Sequence, residues 1–419
     1  MTDDQRDDIE GMEAVRSNIL EKGRTYPYAY VTTPSCCPSR ASIMTGRYAH
    51  NHGVDTNTRA KRLDHRSTIQ FYLRETGYRT GYVGKFLNGW RLSQAPPFFD
   101  DYAINSPDTT DRRMRYYGGK VNVNDKIYPT DQYSTTFFAK RAVRFLEESE
   151  AEDDAKPWLL YVAPNAPHPP FVPEEKYEDL PIPSWSANPA VRETDLSDKP
   201  EWVHKSDIGI KRGRFIRREQ SRMLASVDDM VDEVLTRLRR LDESRDTLLV
   251  FISDNGYAWG EHGLDSKFSP YTNSIAVPLM LRWPDHIAPG TSDSRLVANI
   301  DVAPTILDAT GVTPDAGPKM DGRSLLDTGW ERERLLLEYK KHVYYPAPVW
   351  ASTITKTFQY TEYYEGGETV AREYYDLATD PFQLRNLLGD DDTLNDPATA
   401  SELSVQLDKD RTCEGASCP

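Results

Sequence analysis

Apolar positions along this chain fall into two periods. From about Ser67 they recur at helical spacing until Gly77, a residue suited to stop a helix, and a short strand then leads to Gly84-Lys85. Gln132 to Glu148 carries a second helical pattern. The longest runs from roughly Phe215 to Leu241, with Met223, Val227, Met230, Val231, Val234 and Leu238 along one face. Between these helices lie compact apolar runs of strand length. "PWLLYVA" opens into the proline-rich "PNAPHPPF", "DTLLVFIS" ends in Asp-Asn-Gly, and "VPLMLRW" is followed by a short helix in "DVAPTILDATG" that Gly311 closes. Loops rich in Pro, Asn and Asp fill Pro164 to Lys211. Strands alternating with helices predict an α/β sandwich, a large mixed and mostly parallel sheet flanked by helices. The pattern changes near Trp330. "RLLLEYKK", "WASTITKTFQYTEYY" and "AREYYDLATD" are aromatic and β-rich, and a polar helical tail follows. This predicts a large unit over 1–330 and a smaller antiparallel subdomain over 331–419, with no internal repeat.

Charge narrows the partners. Among 419 residues, 51 Lys and Arg face 66 Asp and Glu, a net charge of -15. That balance argues against nucleic acid or an anionic membrane as the main partner, but leaves room for an anionic substrate in a local cationic pocket. The strongest apolar run, Leu248 to Ile252, is far short of a transmembrane helix. The acidic "MTDDQRDDIEGM" contains no signal-peptide core. Cys413 and Cys418, in "RTCEGASCP", are expected to close a small disulfide loop, which would place the protein outside the reducing cytosol.

The other two cysteines are adjacent, in "TPSCCPSRASIMTGRY" (Thr33 to Tyr48). Neighbouring cysteines make a strained disulfide, and they lack the spacing of a zinc or redox motif. Pro38 suits the first turn of a helix, so Cys36 falls at a helix N-terminus, where backbone N–H groups favour negative charge, and Arg40 lies one turn in. Three further segments place polar groups at the ends of strands, where open α/β sheets gather their chemistry. These are Asp3-Asp4, His168, and Asp254-Asn255. Three carboxylates and an amide are hard oxygen ligands, suited to Ca²⁺ or Mg²⁺ rather than zinc. Alone, each is more simply a turn or a solvated loop. A positive site around a small nucleophile beside a hard cation is what sulfuryl or phosphoryl transfer requires.

Cys36-Cys37-Pro38-Ser39-Arg40, continuing to Thr45-Gly46-Arg47, resembles the C-x-P-S-R-x-x-x-T-G signature of type I sulfatases, of alkaline-phosphatase-like fold. The likeness extends through "TDDQ", "GYVGKFLNGW", "APNAPHPPF", "FISDNG", "DSKFSPYTNSIAVPLMLRWP" and "YYDLATDPFQLRNL", and covers nearly the whole chain. "CCPSRASIMTGRYAHNH" and "GKFLN" are similar to the glucosamine-6-sulfatase and heparan endosulfatase branch. The resemblance implies that Cys36 is oxidised to formylglycine by a formylglycine-generating enzyme. It implies that Asp3, Asp4, Asp254 and Asn255 hold Ca²⁺, with Mg²⁺ as the alternative, beside position 36. Arg40 and Lys85 would position the aldehyde hydrate, and His168 and Lys267 would bind the sulfate, His168 protonating the leaving oxygen. The implied reaction is hydrolysis of a sulfate ester, on a small molecule or a glycan.

Two features depart from that family. Many members carry "GKWH" where this chain has Leu87 and Asn88 after Phe86, which leaves the base for the hydrate open. The family's first metal-binding pair also ends a buried strand, whereas only Met1 and Thr2 precede Asp3. The expectation is that this first strand is missing from the chain, leaving a form that is less stable and binds metal more weakly. Rival readings are a phosphonate monoester or phosphodiester hydrolase of the same fold, and a catalytically silent carbohydrate-binding relative. His50 and His52 are candidates for the pocket rim, with an ordinary surface loop as the alternative. Specificity is expected from the loops Arg91 to Lys126 and Pro173 to Arg214, where Tyr116, Tyr117, Trp185 and Trp202 would serve as sugar platforms or as loop packing.

Overall fold

The computed structural model describes residues 1–105, 111–153, 155–314, 317–340, 345–389 and 394–419. Residues 106–110 of the expected specificity loop, and Lys341 at the end of "RLLLEYKK", lie outside them. The architecture is a mixed sheet between helical layers. One five-stranded leaf runs in the order Lys126–Pro129, Lys120–Val123, Asp101–Asn105, Arg79–Gly84, Trp158–Ala163. Arg79–Gly84 is parallel to both its neighbours, and the outer hairpin is antiparallel. A second leaf runs Thr291–Ser292, Arg24–Thr25, Leu279–Arg282, Leu249–Ile252. Cys36–Thr45, Ile69–Glu75 and Val302–Thr310 cover one face; Ser134–Glu152 and Ile210–Arg240 cover the other.

The long helix starts at Ile210, five residues before its apolar pattern does. Its first turns are polar, and what holds them is contact rather than periodicity. Gly213 lies against the backbone of Trp259, and a Cβ there would stand 1.7 Å from the Trp259 carbonyl oxygen.

Leu335–Tyr339, Val349–Ile354, Phe358–Glu365 and Glu368–Asp376 form the expected antiparallel C-terminal sheet in sequence order. Gly366 and Gly367, at φ +60° and +94°, make the last hairpin turn. One apolar cluster runs across residue 330, joining Tyr48, Trp202, Tyr271 and Ile300 to Leu336, Trp350 and Tyr363. Two buried polar ties reinforce it. Glu373 accepts from the hydroxyls of Tyr271 (2.8 Å), Tyr375 (2.6 Å) and Tyr363. Arg332 makes a two-pronged pair with Asp301 at 2.7 and 2.8 Å.

The two leaves meet at the chain's first residues. Thr2 pairs in parallel with Ser253, and the Met1 amino group donates to Val162 O at 2.8 Å. Below this point the facing edges of Trp158–Ala163 and Leu249–Ile252 make no ladder with each other. A cavity of about 450 Å³ opens there on one side, lined by Met1, Leu160, Val250 and Ile306, and one of about 150 Å³ on the other. Hence both strands, apolar as they are, have half-buried residues at Trp158–Leu160 and Leu249–Val250. Burial also pushes the Met1 amino group down to about 5. An apolar segment of β-branched residues attached ahead of Met1 is expected to pair with both edges, remove that buried amine and raise Tm by several degrees. An unchanged Tm would show that the slot closes by other means.

Candidate active site

Ser35, in extended conformation, precedes a ten-residue helix from Cys36 to Thr45 that is buried along its whole length. Asn57 Oδ1 fixes its start by accepting from Cys37 N (2.9 Å) and Ser35 Oγ (3.0 Å). Asn299 Nδ2 holds Ser39 Oγ at 2.9 Å. Successive helical residues point about 100° apart, and this separates the two thiols. Cys37 Sγ accepts from Asn88 N at 2.9 Å, away from the chemistry. Cys36 Sγ accepts from Lys267 Nζ at 2.8 Å and lies 3.7 Å from Asp3 Oδ1.

Around Cys36 the structure gathers Asp3, Asp4, Arg40, Lys85, His168, Asp254, Asn255 and Lys267. Lys85 Nζ donates to Asp3 Oδ2 at 2.6 Å. Arg40 Nε donates to Asp254 Oδ2 at 2.7 Å, and its Nη1 to Lys85 O at 2.5 Å. Asn255 Nδ2 donates to Asp4 Oδ1 at 2.7 Å, and Lys267 Nζ is bonded to the same oxygen. Asp4 N donates to Asp254 Oδ1 at 3.1 Å, and His168 Nε2 stands 3.7 Å from Asp4 Oδ2. Ligand atoms of Asp3, Asp4, Cys36 and His168 lie within 4.8 Å of one another. Backbone in the left-handed region carries part of this set. Asp4, Ser266 and Phe268 have φ of 70°, 86° and 79°, the last two flanking Lys267. Such positions cost about 1–3 kcal/mol each and persist where surroundings over-determine them.

The charges are strongly coupled. Burial alone would push the Asp3 carboxyl up, yet Lys85, His168 and Arg40 hold it well below the usual carboxylate range. Asp254 is pushed up to about 6 by burial and by Asp3. Burial would lower Lys267 and Lys85, but Asp4 and Asp3 respectively raise them. The Cys36 thiol is pushed up to about 11 by burial, against the pull of Lys267 and Lys85. An unmodified thiol here stays protonated at neutral pH.

The residues fit a hard divalent cation. Among the described residues, Asp4 Oδ2 and Asn255 Oδ1 are buried oxygens that accept no hydrogen bond. Such orphans are costly unless something positive meets them. Their donor type, with Asp3 and Asp254, is that of Ca²⁺ or Mg²⁺.

For the other candidates, left open between pocket and ordinary loop, the structure shows local hydrogen bonding and packing. His50 has both ring nitrogens engaged, by Glu338 Oε1 and by Cys413 O, each at 2.9 Å. His52 is buried between Ser42 Oγ and Val54 N, and burial lowers it to about 3. Both tie the segment after the Cys36 helix into the fold. Tyr116 and Trp202 are buried packing residues, Tyr116 donating to Asn165 O at 3.1 Å. Tyr117 accepts from Glu175 N, and Trp185 packs edge-on to Trp259. Leu87 is core. Arg115, in the expected specificity loop, was not singled out by the pattern. Its Nη1 lies 2.8 Å from both His168 Nδ1 and Pro169 O. No spacing rule announces it, since it reaches His168 across a loop. Tyr82, whose hydroxyl donates to Lys85 O at 2.5 Å, escapes for the same reason.

The Sulfatase family profile matches residues 3–312, and a second, described as N-sulphoglucosamine sulphohydrolase, C-terminal, matches 260–412. The chain belongs to the sulfatase family, whose members use a metal ion and formylglycine. Extracellular sulfatase Sulf-1 homologs of Caenorhabditis elegans and Drosophila melanogaster are 31% and 32% identical over 84% and 80% of this chain. The chain spans 51% and 31% of their lengths. N-acetylglucosamine-6-sulfatase of Homo sapiens is 29% identical over 100% of this chain and 84% of its own. Among solved structures, one described as a complex with its substrate D-glucosamine-2-N,6-O-disulfate superposes with TM-score 0.82 at 21% identity, covering 97% of this chain and 95% of that one. A phosphonate monoester hydrolase of Agrobacterium radiobacter superposes with TM-score 0.73 at 20% identity, over 98% and 94%. The fold is that of these enzymes, alkaline-phosphatase-like.

Arg40→Ala is expected to cost about 3–5 kcal/mol of stability, because Asp254 loses its buried partner and must stay charged without it or take up a proton. The urea midpoint measures it. A loss below about 1 kcal/mol would mean that water replaces the guanidinium.

Proposed function

We propose that this chain hydrolyses a sulfate ester, with Cys36 oxidised to formylglycine and Ca²⁺ held by Asp3, Asp4, Asp254 and Asn255 beside it. The observation that carries the reading is the placement of Cys36 Sγ at a buried helix N-terminus, 2.8 Å from Lys267 Nζ and inside the cluster of Asp3, Asp4 and His168. When formed, the hydrated aldehyde supplies an oxygen nucleophile and a second geminal hydroxyl through which sulfate can be released, which a thiol lacks. Lys267 and Lys85 offset the negative charge of the sulfuryl group, and Arg40 fixes Asp254 and the Lys85 backbone. His168 protonates the departing alcohol. His168 Nδ1 lies 2.8 Å from Arg115 Nη1, which only donates, and 2.5 Å from Pro169 O, which only accepts; the two contacts hold the ring in place with Nε2 facing the cluster. Burial lowers His168 against the pull of Asp4 and Asp3, and protonating the alcohol requires the imidazolium, which a bound anionic sulfate would favour; the ring is left neutral after the transfer.

The substrate is read as a sulfated carbohydrate, on the likeness to N-acetylglucosamine-6-sulfatase and to the extracellular sulfatases. The Cys413–Cys418 disulfide and the same relatives support an extracytoplasmic place of action; among the described residues no helix is long and apolar enough to cross a membrane. Residues 1–330 would form the catalytic unit, with 331–419 as a subdomain packed on it.

Protein produced with a formylglycine-generating enzyme is expected to show aldehyde in place of the Cys36 thiol by peptide mass spectrometry across Thr33 to Arg47. It should then turn over an aryl sulfate faster than an aryl phosphonate or phosphodiester. An intact thiol favours the silent relative, and a preference for phosphorus favours the phosphonate hydrolase. Lys267→Ala is expected to lower kcat by about 10²–10³-fold. Ca²⁺ is expected to raise Tm of the parent protein, and Asp254→Asn to remove most of that rise.

A further inference from the structure

Lys211 to Arg222 holds six cations, Lys211, Arg212, Arg214, Arg217, Arg218 and Arg222, with one acid, Glu219, in a chain whose net charge is -15. Lys211, Arg212, Arg214 and Arg218 are exposed, and so is Phe215. Lys211, Arg214, Phe215 and Arg218 share one helical stripe by their spacing of three and four. The Arg212 and Arg218 guanidiniums lie over the Phe215 ring at 5.2 and 5.5 Å from its centre.

This stripe is continuous with the active site. Phe171, three residues past His168, meets Tyr257, two past Asn255, at 6.0 Å, and Phe215 at 6.3 Å. Arg212 reaches from the Phe171 ring, at 5.9 Å, to Asp265, at 3.7 Å and two residues before Lys267. The start of the helix is held rigidly, because Gly213 allows it to touch the Trp259 backbone. From Lys211 to Arg218 the helix advances about 10 Å, more than one sugar ring.

We propose that the exposed stripe Lys211–Arg212–Arg214–Phe215–Arg218 is an extended subsite for a polyanionic carbohydrate, so that the substrate is a sulfated chain engaged beyond the ester being cut. The proposal rests on the sulfatase reading and adds the class of substrate. Arginine forks bind sulfate and carboxylate in two-pronged fashion, and an exposed ring packs the apolar face of a sugar. The stripe concentrates positive charge in a chain that is acidic as a whole.

The test is the double variant R214E/R218E, whose residues lie outside the catalytic cluster. Two substrates are compared, an aryl sulfate and a hexasaccharide of alternating uronic acid and N-,O-sulfated glucosamine, with binding of the hexasaccharide also measured by calorimetry. KM and Kd for the hexasaccharide are expected to rise about tenfold or more and to lose most of their salt dependence. Both constants for the aryl ester should stay within twofold. A hexasaccharide KM and Kd that move less than twofold overturn the proposal, as does an equal loss on both substrates. If the parent cleaves neither ester, the sulfatase reading fails, and calorimetry still decides the stripe by whether the variant loses hexasaccharide binding. Binding of a nucleic acid duplex as tight as that of the hexasaccharide, and equally lost in the variant, would overturn the carbohydrate assignment.

Discussion

The site depends on one constraint: three carboxylates, Asp3, Asp4 and Asp254, and three cations, Arg40, Lys85 and Lys267, share a volume that water does not reach. Taking such groups out of water costs several kcal/mol each, and pairing alone seldom does better than apolar packing of the same shape. Their presence therefore points to chemistry rather than stability. The six balance as they stand. A divalent cation among the three carboxylates would leave a surplus of positive charge, which an anionic ester at position 36 offsets. That divalent cation would also meet the buried oxygens Asp4 Oδ2 and Asn255 Oδ1, which accept no hydrogen bond.

The fold delivers these charges from distant parts of the chain. Asp3 and Asp254 flank the junction where Thr2 pairs with Ser253, and Lys85 follows a parallel strand whose last residue, Gly84, passes so near Ala163 that a Cβ would sit 1.9 Å from its carbonyl oxygen. Lys267 enters on a segment with positive φ on both sides. The Cys36 helix carries the position proposed as nucleophile, and Asn57 and Asn299 hold its first turn. Small displacements of any of these would leave buried charges unmatched, so the geometry is enforced by electrostatics as much as by packing.

Much of this was legible in the sequence. Lys85, His168, Asp254 and Asn255 follow apolar runs that stop abruptly at Gly-Lys, Pro-rich or Asp-Asn-Gly segments, and Cys36 opens a helix, whereas Asp3, Asp4 and Lys267 have no such run before them and took their roles from the family resemblance. The antiparallel C-terminal sheet was legible from aromatic alternation. What escaped is what depends on contacts across loops. His50 and His52 look like pocket groups in "YAHNHGV", but their partners, Glu338 and Ser42, come from elsewhere in the fold. Trp202 sits in loop sequence, yet it is core, because the large unit and the C-terminal sheet share one apolar cluster, and Tyr116 is core in a separate cluster with the long helix. The polar first turns of the long helix carry no apolar period, since their anchorage is a glycine against a backbone carbonyl.

The pocket itself says little about which ester is cut. Its cations and carboxylates suit any tetrahedral anion with an oxygen leaving group, and the same fold occurs in a phosphonate monoester hydrolase. Discrimination must then arise where chains of one fold differ, in what surrounds the leaving group. Here His168 stands at the mouth, ordered by Arg115 on one side, with Phe171 leading outward on the other. In the proposed reaction His168, as an imidazolium, would present Nε2–H to an alkoxide leaving group, which needs a proton far more than a phenolate does. That requirement, with a cationic and aromatic surface beginning at Phe171, favours a sulfated sugar over a small aryl ester.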